Sequence, residues 1–275
     1  MFESPSDYID RIFQEDCRDL LRKLPSESIP LLITSPPYNV GKEYEKNLTL
    51  DEYLSFLREV FQEAYRVLSI GGRCCVNLAN VDVQPCIPLS SHVCLLLIEL
   101  GYLMRGTILW DKGASVGVST AWGSWQSASN PVLRADPEYV LIFSKKEFTR
   151  PCPDGGKDTI TKEQFLEWTK SIWEVQTETS IEHPAPFPVE LPRRLMQLFS
   201  FQNDLVLDPF MGSGTTAVAA IRNHRHFVGA ELDPRYCQIA NSRIDEEHRS
   251  LLFECEDVVF SFQGKRKRKK VLFPD

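Results

Sequence analysis

The sequence predicts an α/β fold in which a mostly parallel sheet is covered by helices on both faces. Two observations lead to this prediction. Helical and strand-like patterns alternate through the first half of the chain, and a strand, a glycine-rich turn, a helix and a second strand follow one another in the last third. The 275 residues, 43% of them hydrophobic and 25% charged, suffice for one large core or two modest ones, and no internal repeat divides them.

The first strand is predicted at residues 29–34, where a short apolar run is closed by a Ser-Pro-Pro sequence. Consecutive prolines cannot continue a ladder of hydrogen bonds, so the strand is expected to end abruptly there. Residues 50–68 carry apolar side chains at helical spacing and predict a helix. The glycine pair at 71–72 is expected to stop that helix, and a second strand should follow at residues 73–78.

The middle of the chain predicts one more helix at residues 88–100 and strands at residues 107–110 and 139–143. Two stretches lack periodicity. Residues 112–134 are rich in Gly, Ser and Trp, and residues 145–180 are polar, so both are expected to be loops or a small insertion. A long structureless segment in a compact domain is uncommon unless it is functional or disordered.

The last third predicts a strand at 204–207, a glycine-rich turn DPFMGSG at 208–214, a helix at 215–223 and a strand at 227–232. Gly212 and Gly214 can adopt backbone angles closed to other residues and let a ligand approach the main chain. Glu231 follows Gly212 by nineteen positions, where Rossmann-type units place the carboxylate that binds ribose hydroxyls. An ordinary strand-to-helix turn is the alternative, and it explains the glycines alone equally well.

The sequence TSPPYN at residues 34–39 has a chemical interpretation of its own. Two prolines stiffen the exit from a strand, Ser35 supplies a small hydroxyl, and Tyr38 supplies a stacking face, which suits a flat base extruded from nucleic acid. An exocyclic amine becomes a better nucleophile if its hydrogens point at Ser35 Oγ and the Pro36 carbonyl while its nitrogen pyramidalises. Taken alone, Pro-Pro-Tyr is more typical of a turn that ends a strand.

Together, the two segments resemble the motifs of DNA amino-methyltransferases. The catalytic tetrapeptide (S/D/N)-P-P-(Y/F) corresponds to SPPY at 35–38, and the cofactor motif F-x-G-x-G corresponds to FMGSG at 210–214. The tetrapeptide comes first, as in the β class of this family. The resemblance implies a Rossmann-like, S-adenosyl-L-methionine-dependent methyltransferase fold and a catalytic role for the tetrapeptide, Ser35, Pro36, Pro37 and Tyr38.

The resemblance also implies where the cofactor S-adenosyl-L-methionine binds. Residues 183–192 resemble the segment that encloses the methionine part, and Asp16-Cys17 resembles an N-terminal Gly-Asp-(Ala/Cys) element, with Glu15 in place of the glycine. Pro137-Glu138-Tyr139 resembles a third segment, near the target pocket. The cofactor-binding residues expected from these motifs are Asp16, His183, Pro184, Phe187, Asp208, Pro209, Phe210, Gly212, Gly214, Thr215 and Glu231.

The family resemblance implies a single methyltransferase domain over residues 1–275. Its catalytic half is expected at about 12–145, a small target-recognition insertion at about 146–180, a cofactor half at about 181–250 and a basic tail at 264–275. Within the family, serine at the first tetrapeptide position is associated mainly with N4-cytosine enzymes and aspartate mainly with N6-adenine enzymes. Ser35 therefore favours N4 of cytosine, with N6-adenine methylation as the alternative and an RNA or protein methyltransferase as a more distant one. Methylation at carbon 5 is disfavoured, since neither Pro-Cys pair lies in the glycine-rich context that such a nucleophile needs.

Double-stranded DNA is the expected partner, and a cognate restriction endonuclease is a further one. Aromatic side chains can fill or flank a vacated base position, and Gln, Asn and Arg read base edges. On that ground the candidate DNA contacts are Trp122, Trp125, Gln126, Asn130 and Arg134. Pinning a long loop to the core is an equal alternative for the two tryptophans.

The charge is unevenly distributed, because the net charge is −7 although residues 265–270 read KRKRKK. A solvated, disordered tail is the simpler interpretation of one charge block. The functional interpretation is an arm that binds phosphates regardless of sequence. No apolar run approaches the roughly 20 residues of a membrane span, and residues 1–11 lack the basic start and apolar run that are typical of a secretory signal. The eight cysteines lack metal-ligand spacing. A cytoplasmic protein without a metal site is expected.

Overall fold

The computed structural model of the chain describes residues 2–38, 48–81, 85–113, 128–130, 137–177 and 187–264, with side chains as far as residue 250. Within these ranges eight strands form one sheet in the order β1-β8-β7-β2-β3-β5-β4-β6. The strands are β1 Arg11–Gln14, β2 Ile29–Thr34, β3 Leu68–Leu78, β4 Tyr102–Asp111, β5 Glu138–Lys145, β6 Ile172–Glu174, β7 Leu205–Asp208 and β8 His226–Glu231. The helices are α1 Cys17–Lys23, α2 Leu50–Val67, α3 Leu89–Glu99, α4 Lys162–Trp168, α5 Glu190–Phe199, α6 Thr215–Arg222 and α7 Pro234–Gly264.

The sheet is mostly parallel, as the sequence predicts. Only β5 runs against its two neighbours, β3 and β4, and every other described neighbouring pair is parallel. The carboxyl ends of β1, β8, β7, β2, β3 and β4 consequently lie along one edge of the sheet, and the amino end of β5 joins them there. Polar side chains from distant parts of the sequence meet at this edge.

Helices cover both faces of the sheet, which confirms the predicted fold class. Successive residues of β2 point to opposite faces: Leu32 packs with α1, α2 and α3, whereas Leu31 and Ile33 pack with α5 and α6. Burial on both faces explains why β2 is apolar throughout rather than alternating. None of the helices in the described ranges combines the length and the apolar character that crossing a bilayer requires.

The predicted strand at 29–34 and helix at 50–68 are confirmed, but the role assigned to the glycine pair is wrong. Helix α2 ends at Val67 and β3 begins at Leu68, before the glycines. Gly71 and Gly72 instead form an irregularity inside β3, where the register with β2 shifts. Gly71 has φ +70°, and a Cβ there would collide with the main-chain carbonyl of Thr149. The pair therefore permits a close approach of two backbones rather than ending a helix.

The polar stretch at 145–180 contains more regular structure than its composition indicates. Thr161 and Gln164 form a capping box at the start of α4, which stabilises the first turn of that helix. Strand β6 extends the sheet beside β4, and Trp173 within it is 1% exposed. Trp110 of β4 donates its Nε1 hydrogen to the carbonyl of Val175 at 2.7 Å. This segment therefore packs against the sheet and does not form an isolated loop.

Candidate active site

One cleft of about 1210 Å³ lies at the edge of the sheet where the parallel strands end. Ser35 and Tyr38 line it from the end of β2, Phe210 and Gly212 from the turn after β7, and Glu231 from the end of β8. Ligands of open α/β sheets bind at such carboxyl ends. The structure thus brings the two sequence motifs, 172 positions or more apart along the chain, into one cavity.

The tetrapeptide is held in place by hydrogen bonds at both ends. Ser35 Oγ lies 3.1 Å from Tyr38 Oη. Tyr38 Oη donates to Glu138 Oε2 at 2.9 Å, and Tyr53 of α2 donates its hydroxyl hydrogen to the Pro37 carbonyl at 2.6 Å. Burial, together with the nearby Glu138 carboxylate, raises the pKa of Tyr38 well above its ordinary value. Tyr38 therefore keeps its proton and acts as a donor to Glu138.

Three polar side chains form a network behind the Tyr38 hydroxyl. Asn77 of β3 donates through Nδ2 to Glu138 Oε2 at 2.5 Å and to Tyr38 Oη at 3.1 Å. Lys112, just after β4, pairs with Glu138 Oε1 at 2.6 Å. Asn77 is 5% exposed and Glu138 8% exposed, and the Oδ1 atom of Asn77 has no hydrogen-bond partner among the described residues. A buried acceptor without a partner costs about 1–3 kcal/mol, and a donor on a ligand in the cleft would offset that cost.

The sequence motifs did not identify Asn77 and Lys112, and Glu138 was recognised only through the family segment that contains it. A signal was present for Asn77, since it is the one polar residue among residues 74–78 of this strand and lies next to the carboxyl end of the strand. Lys112 and Glu138 gave no such signal, because only the pairing of β4 with β5 places Trp110 opposite Glu138.

Glu231 joins the second strand of the cofactor unit to the glycine turn. Its Oε2 accepts a hydrogen bond from the Gly212 amide at 2.8 Å, and its Oε1 accepts one from the Asp233 amide at 2.8 Å. Burial is the main cause that raises the pKa of Glu231 above its ordinary value. Each carboxylate oxygen has a second lone pair, so Glu231 can still accept hydrogen bonds from two hydroxyls of a ligand in the cleft.

Asp208 and Gly214 lie beneath the turn and do not line the cleft. Asp208 is 1% exposed and accepts hydrogen bonds from Thr34 Oγ1 at 2.7 Å, Thr216 Oγ1 at 2.6 Å and the Phe210 amide at 3.1 Å. Burial raises the pKa of Asp208 to about 6. Gly214 has φ +82°, and a Cβ there would come within 2.9 Å of Ala240 in α7. Both residues shape the turn, and Asp208 also ties it to the strand that carries the tetrapeptide.

Asp16 lines the cleft but already has a partner. It caps α1 by accepting from the Arg18 amide at 2.9 Å, and its two oxygens receive the Arg18 guanidinium at 3.0 and 2.8 Å. These hydrogen bonds lower the pKa of Asp16. The Arg18 guanidinium also lies 5.2 Å from the centre of the Phe56 ring, which meets Phe210 edge-on at 6.0 Å. This corner of the cleft therefore offers aromatic surface beside an ion pair.

The remaining predicted site residues fall into three groups. Pro36, Pro37, Phe187, Pro209 and Thr215 line the same cleft. Asn130 is exposed and does not line it. The others, His183, Pro184, Trp122, Trp125, Gln126 and Arg134, lie outside the described residues, as does the basic run at 265–270.

Comparison with known proteins places these observations in a family context. The family model for N6/N4 methyltransferases, described as DNA methylase, matches residues 29–242. The type II methyltransferase M.MjaI of Methanocaldococcus jannaschii is 31% identical over 264 residues, which cover 81% of this chain and 87% of that protein. The type II methyltransferase M.ScaI of Streptomyces caespitosus is 29% identical, covering 87% and 83%.

Solved structures agree with the fold. A protein of Thermus thermophilus, classed as a DNA modification methylase and crystallised with S-adenosyl-L-methionine, superposes with a TM-score of 0.71 at 30% identity, covering 86% of this chain and 93% of that one. The cytosine-N4-specific PvuII DNA methyltransferase superposes with a TM-score of 0.68 over 84% of this chain and 85% of its own. At 22% identity, that second likeness concerns the fold alone.

Proposed function

This chain belongs to the DNA methylase family of β-class N6/N4 amino-methyltransferases and uses S-adenosyl-L-methionine, and on that premise we propose that it methylates the exocyclic N4 of cytosine in DNA. The observation that carries the proposal is the identity and position of Ser35, which faces the same cleft as the glycine turn at 210–214. The target base would have to leave the duplex to reach this cleft, as it does in other enzymes that modify bases.

In this site Ser35 Oγ and the Pro36 carbonyl accept hydrogen bonds from the two amine hydrogens of the flipped base. These bonds strengthen as the nitrogen becomes tetrahedral, so they stabilise the transition state more than the bound substrate. Tyr38 offers its ring as a stacking surface while Glu138 and Asn77 fix its hydroxyl. The orphaned Oδ1 of Asn77 supports an amine-bearing substrate, since such a base supplies the missing donor.

S-adenosyl-L-methionine supplies an electrophilic methyl group on a sulfonium centre. The residues around the turn fit that cofactor. Glu231 retains lone pairs for ribose hydroxyls, Phe210 and Phe56 offer aromatic surface for an adenine ring, and Gly212, with φ +53°, leaves the main chain open to approach. Cofactor contacts are further proposed for Asp16, Phe187, Pro209 and Thr215, and for His183 and Pro184. Asp208 and Gly214 are assigned to shaping the turn.

The test of this proposal is the identity of the methylated nucleoside. Duplex DNA of mixed sequence is incubated with the protein and methyl-labelled S-adenosyl-L-methionine, digested to nucleosides and separated by mass spectrometry. N4-methyldeoxycytidine is the expected product. Detection of N6-methyldeoxyadenosine would identify adenine instead of cytosine as the target base. Detection of 5-methyldeoxycytidine would overturn the mechanism. Parallel incubations with RNA and protein test the remaining alternatives, because label found only in those polymers would exclude a DNA substrate.

Recognition of the DNA sequence is assigned to residues 146–180, aided by residues 112–134. The first of these segments carries α4 and β6 at the edge of the sheet, next to β4, which holds Trp110 and is directly followed by Lys112. The relatives named type II methyltransferases support a cognate restriction endonuclease as a functional partner. The basic run at 265–270 is assigned to sequence-independent attraction of DNA phosphates.

A further inference from the structure

A chain of hydrogen bonds runs from the tetrapeptide to a buried carboxylate. It begins at Ser35 Oγ, continues 3.1 Å away at Tyr38 Oη and ends 2.9 Å further at Glu138 Oε2. All three residues line the cleft. The chain is assembled only in the tertiary structure, since Glu138 is 100 positions from Tyr38 in sequence and is brought to the site by the antiparallel strand β5.

The number of hydroxyl hydrogens determines which atom donates and which accepts in each hydrogen bond of this chain. Tyr38 has one hydroxyl hydrogen, and an ionised Glu138 can only accept, so that hydrogen is committed to Glu138. Tyr38 Oη is then an acceptor towards its other neighbours, Asn77 Nδ2 and Ser35 Oγ. Ser35 must therefore donate its hydrogen to Tyr38. Its Oγ has one long contact with Asn77 Nδ2, at 3.5 Å, and keeps a lone pair for the base. Without the carboxylate, Tyr38 could donate to Ser35, and Ser35 could present a hydrogen to an amine that needs an acceptor.

The Glu138 carboxylate has hydrogen-bond donors on both of its oxygens. Among the described residues, Lys112 from the end of β4 faces Oε1, while Tyr38 from the tetrapeptide and Asn77 from β3 both donate to Oε2. A cation and two donors surround the carboxylate, and the side chain of Glu138 is only 11% exposed. Charge-assisted hydrogen bonds of this kind are short and strong in surroundings from which water is largely excluded.

On the basis of the proposed function, we propose that Glu138 acts through Tyr38 to hold Ser35 as a hydrogen-bond acceptor and to receive the proton that the methylated amine releases. The amine nitrogen bonds the methyl carbon of the donor, and the electron pair of the broken sulfur–carbon bond stays on sulfur. The surplus proton passes from nitrogen to Ser35 Oγ, the Ser35 proton to Tyr38 Oη and the Tyr38 proton to Glu138 Oε2. The resulting carboxylic acid returns its proton to water before the next turnover. Glu138 is thus a positioning residue, and Ser35 touches the base.

The test compares Glu138→Gln with wild type in single-turnover methyl transfer to duplex DNA. The variant keeps the shape of the side chain, but its amide oxygen is expected to face Lys112 and its NH₂ group to face Tyr38. Tyr38 would then accept from residue 138 and donate to Ser35, which reverses the donor and acceptor roles along the chain. The expected loss is on the order of 100-fold in the rate of transfer, with the affinity for S-adenosyl-L-methionine within about twofold of wild type by calorimetry.

A matched control is Glu247→Gln in α7. The side chain of Glu247 is 13% exposed and is paired with Arg222 at 2.8 and 2.7 Å, but it does not line the cleft. The control should transfer methyl groups at the wild-type rate. A full rate for Glu138→Gln would overturn the proposal, as would a loss of equal size in both variants.

A double-mutant cycle separates this role from a purely structural one. Tyr38→Phe keeps the ring and removes the hydroxyl, so Glu138→Gln should cause little further loss in that background. Additive losses would overturn action through Tyr38. If Glu138→Gln does not fold, Tyr38→Phe must itself show the loss of rate, and a wild-type rate in Tyr38→Phe would overturn the proposal.

The free protein gives a readout that needs no turnover. With tyrosine labelled at its ring carbon, NMR titration should show a lower pKa for Tyr38 in Glu138→Gln than in wild type, since the neighbouring carboxylate contributes to raising it. An unchanged Tyr38 titration would contradict the contact. A wild-type protein that transfers no methyl group to DNA would overturn the proposed function itself and this inference with it, whereas an active wild type with an equally active Glu138→Gln variant overturns the inference alone.

Discussion

The pH dependence of folding stability should reveal the buried Asp208 carboxyl. Asp208 is 1% exposed and has a pKa raised to about 6 from an ordinary 3.8, chiefly by burial. The unfolded chain loses this proton near pH 4 and the folded protein near pH 6, so the folded state holds more protons between these values. Stability therefore falls as the pH rises through this window. A difference of about two pKa units corresponds to roughly 3 kcal/mol.

Asp208→Asn removes the loss of stability that ionisation of the buried carboxyl causes, and the asparagine can keep the hydrogen bonds. The amide oxygen can accept from Thr34 and Phe210 as Oδ1 does now, and the NH₂ group can donate to Thr216 if that hydroxyl rotates. The free energy of unfolding of the variant should equal that of wild type near pH 4 and exceed it by up to about 3 kcal/mol at pH 7 to 8. Urea unfolding of both proteins at unit steps of pH from 4 to 8 measures the difference. Thr216→Ser, which keeps the hydroxyl, should retain the wild-type slope, and a difference between Asp208→Asn and wild type that does not vary with pH would refute the reasoning.

Three further outcomes are expected. Glu231→Ala should weaken S-adenosyl-L-methionine binding by roughly 1.5–3 kcal/mol in calorimetry. The substitution removes the acceptor for the ribose hydroxyls and the hydrogen bond from the Gly212 amide, and an unchanged affinity would contradict the assignment. Ser35→Ala should slow methyl transfer at least about tenfold with cofactor affinity nearly intact, while Ser35→Asp should keep some activity; a full single-turnover rate in Ser35→Ala would refute the mechanism. Deletion after Gly264 should weaken DNA binding at all sequences and flatten its salt dependence, and a loss confined to one sequence in binding titrations would assign base recognition to the tail.

Part of the fold is fixed by short stretches of sequence, because the determining interactions there are local. An apolar run closed by two prolines is enough to place the strand Ile29–Thr34 and its end. The unit from Leu205–Asp208 through Thr215–Arg222 to His226–Glu231 is equally local, since a glycine turn links a strand to a helix within a few residues. The family motifs lie on these same elements, so the two halves of the cleft could be identified from the sequence.

Other elements depend on partners that are distant in sequence, and these were missed or misassigned. Strand β1, Arg11–Gln14, is short and half-exposed at the edge of the sheet, with no alternation to mark it. Gly71 and Gly72 look like a helix stop, but their function depends on the approach of Thr149. Strand β6 is held by its pairing with β4, and helix α4 lies against α5 with Trp168 buried in the core.

The sequence by itself determined the methyltransferase family, the expected cofactor and the tetrapeptide that lines the cleft. It did not determine the polar network behind that tetrapeptide. Asn77 lies on β3, Glu138 lies on β5, and Lys112 directly follows β4, so they meet only because β5 inserts antiparallel between β3 and β4. Similarly, Asp208 belongs to the cofactor motif by sequence, yet its carboxylate is buried against Thr34 and Thr216. Hydrogen-bond partners and burial are set by pairing between distant segments, which is why only the tertiary structure decided what these side chains do.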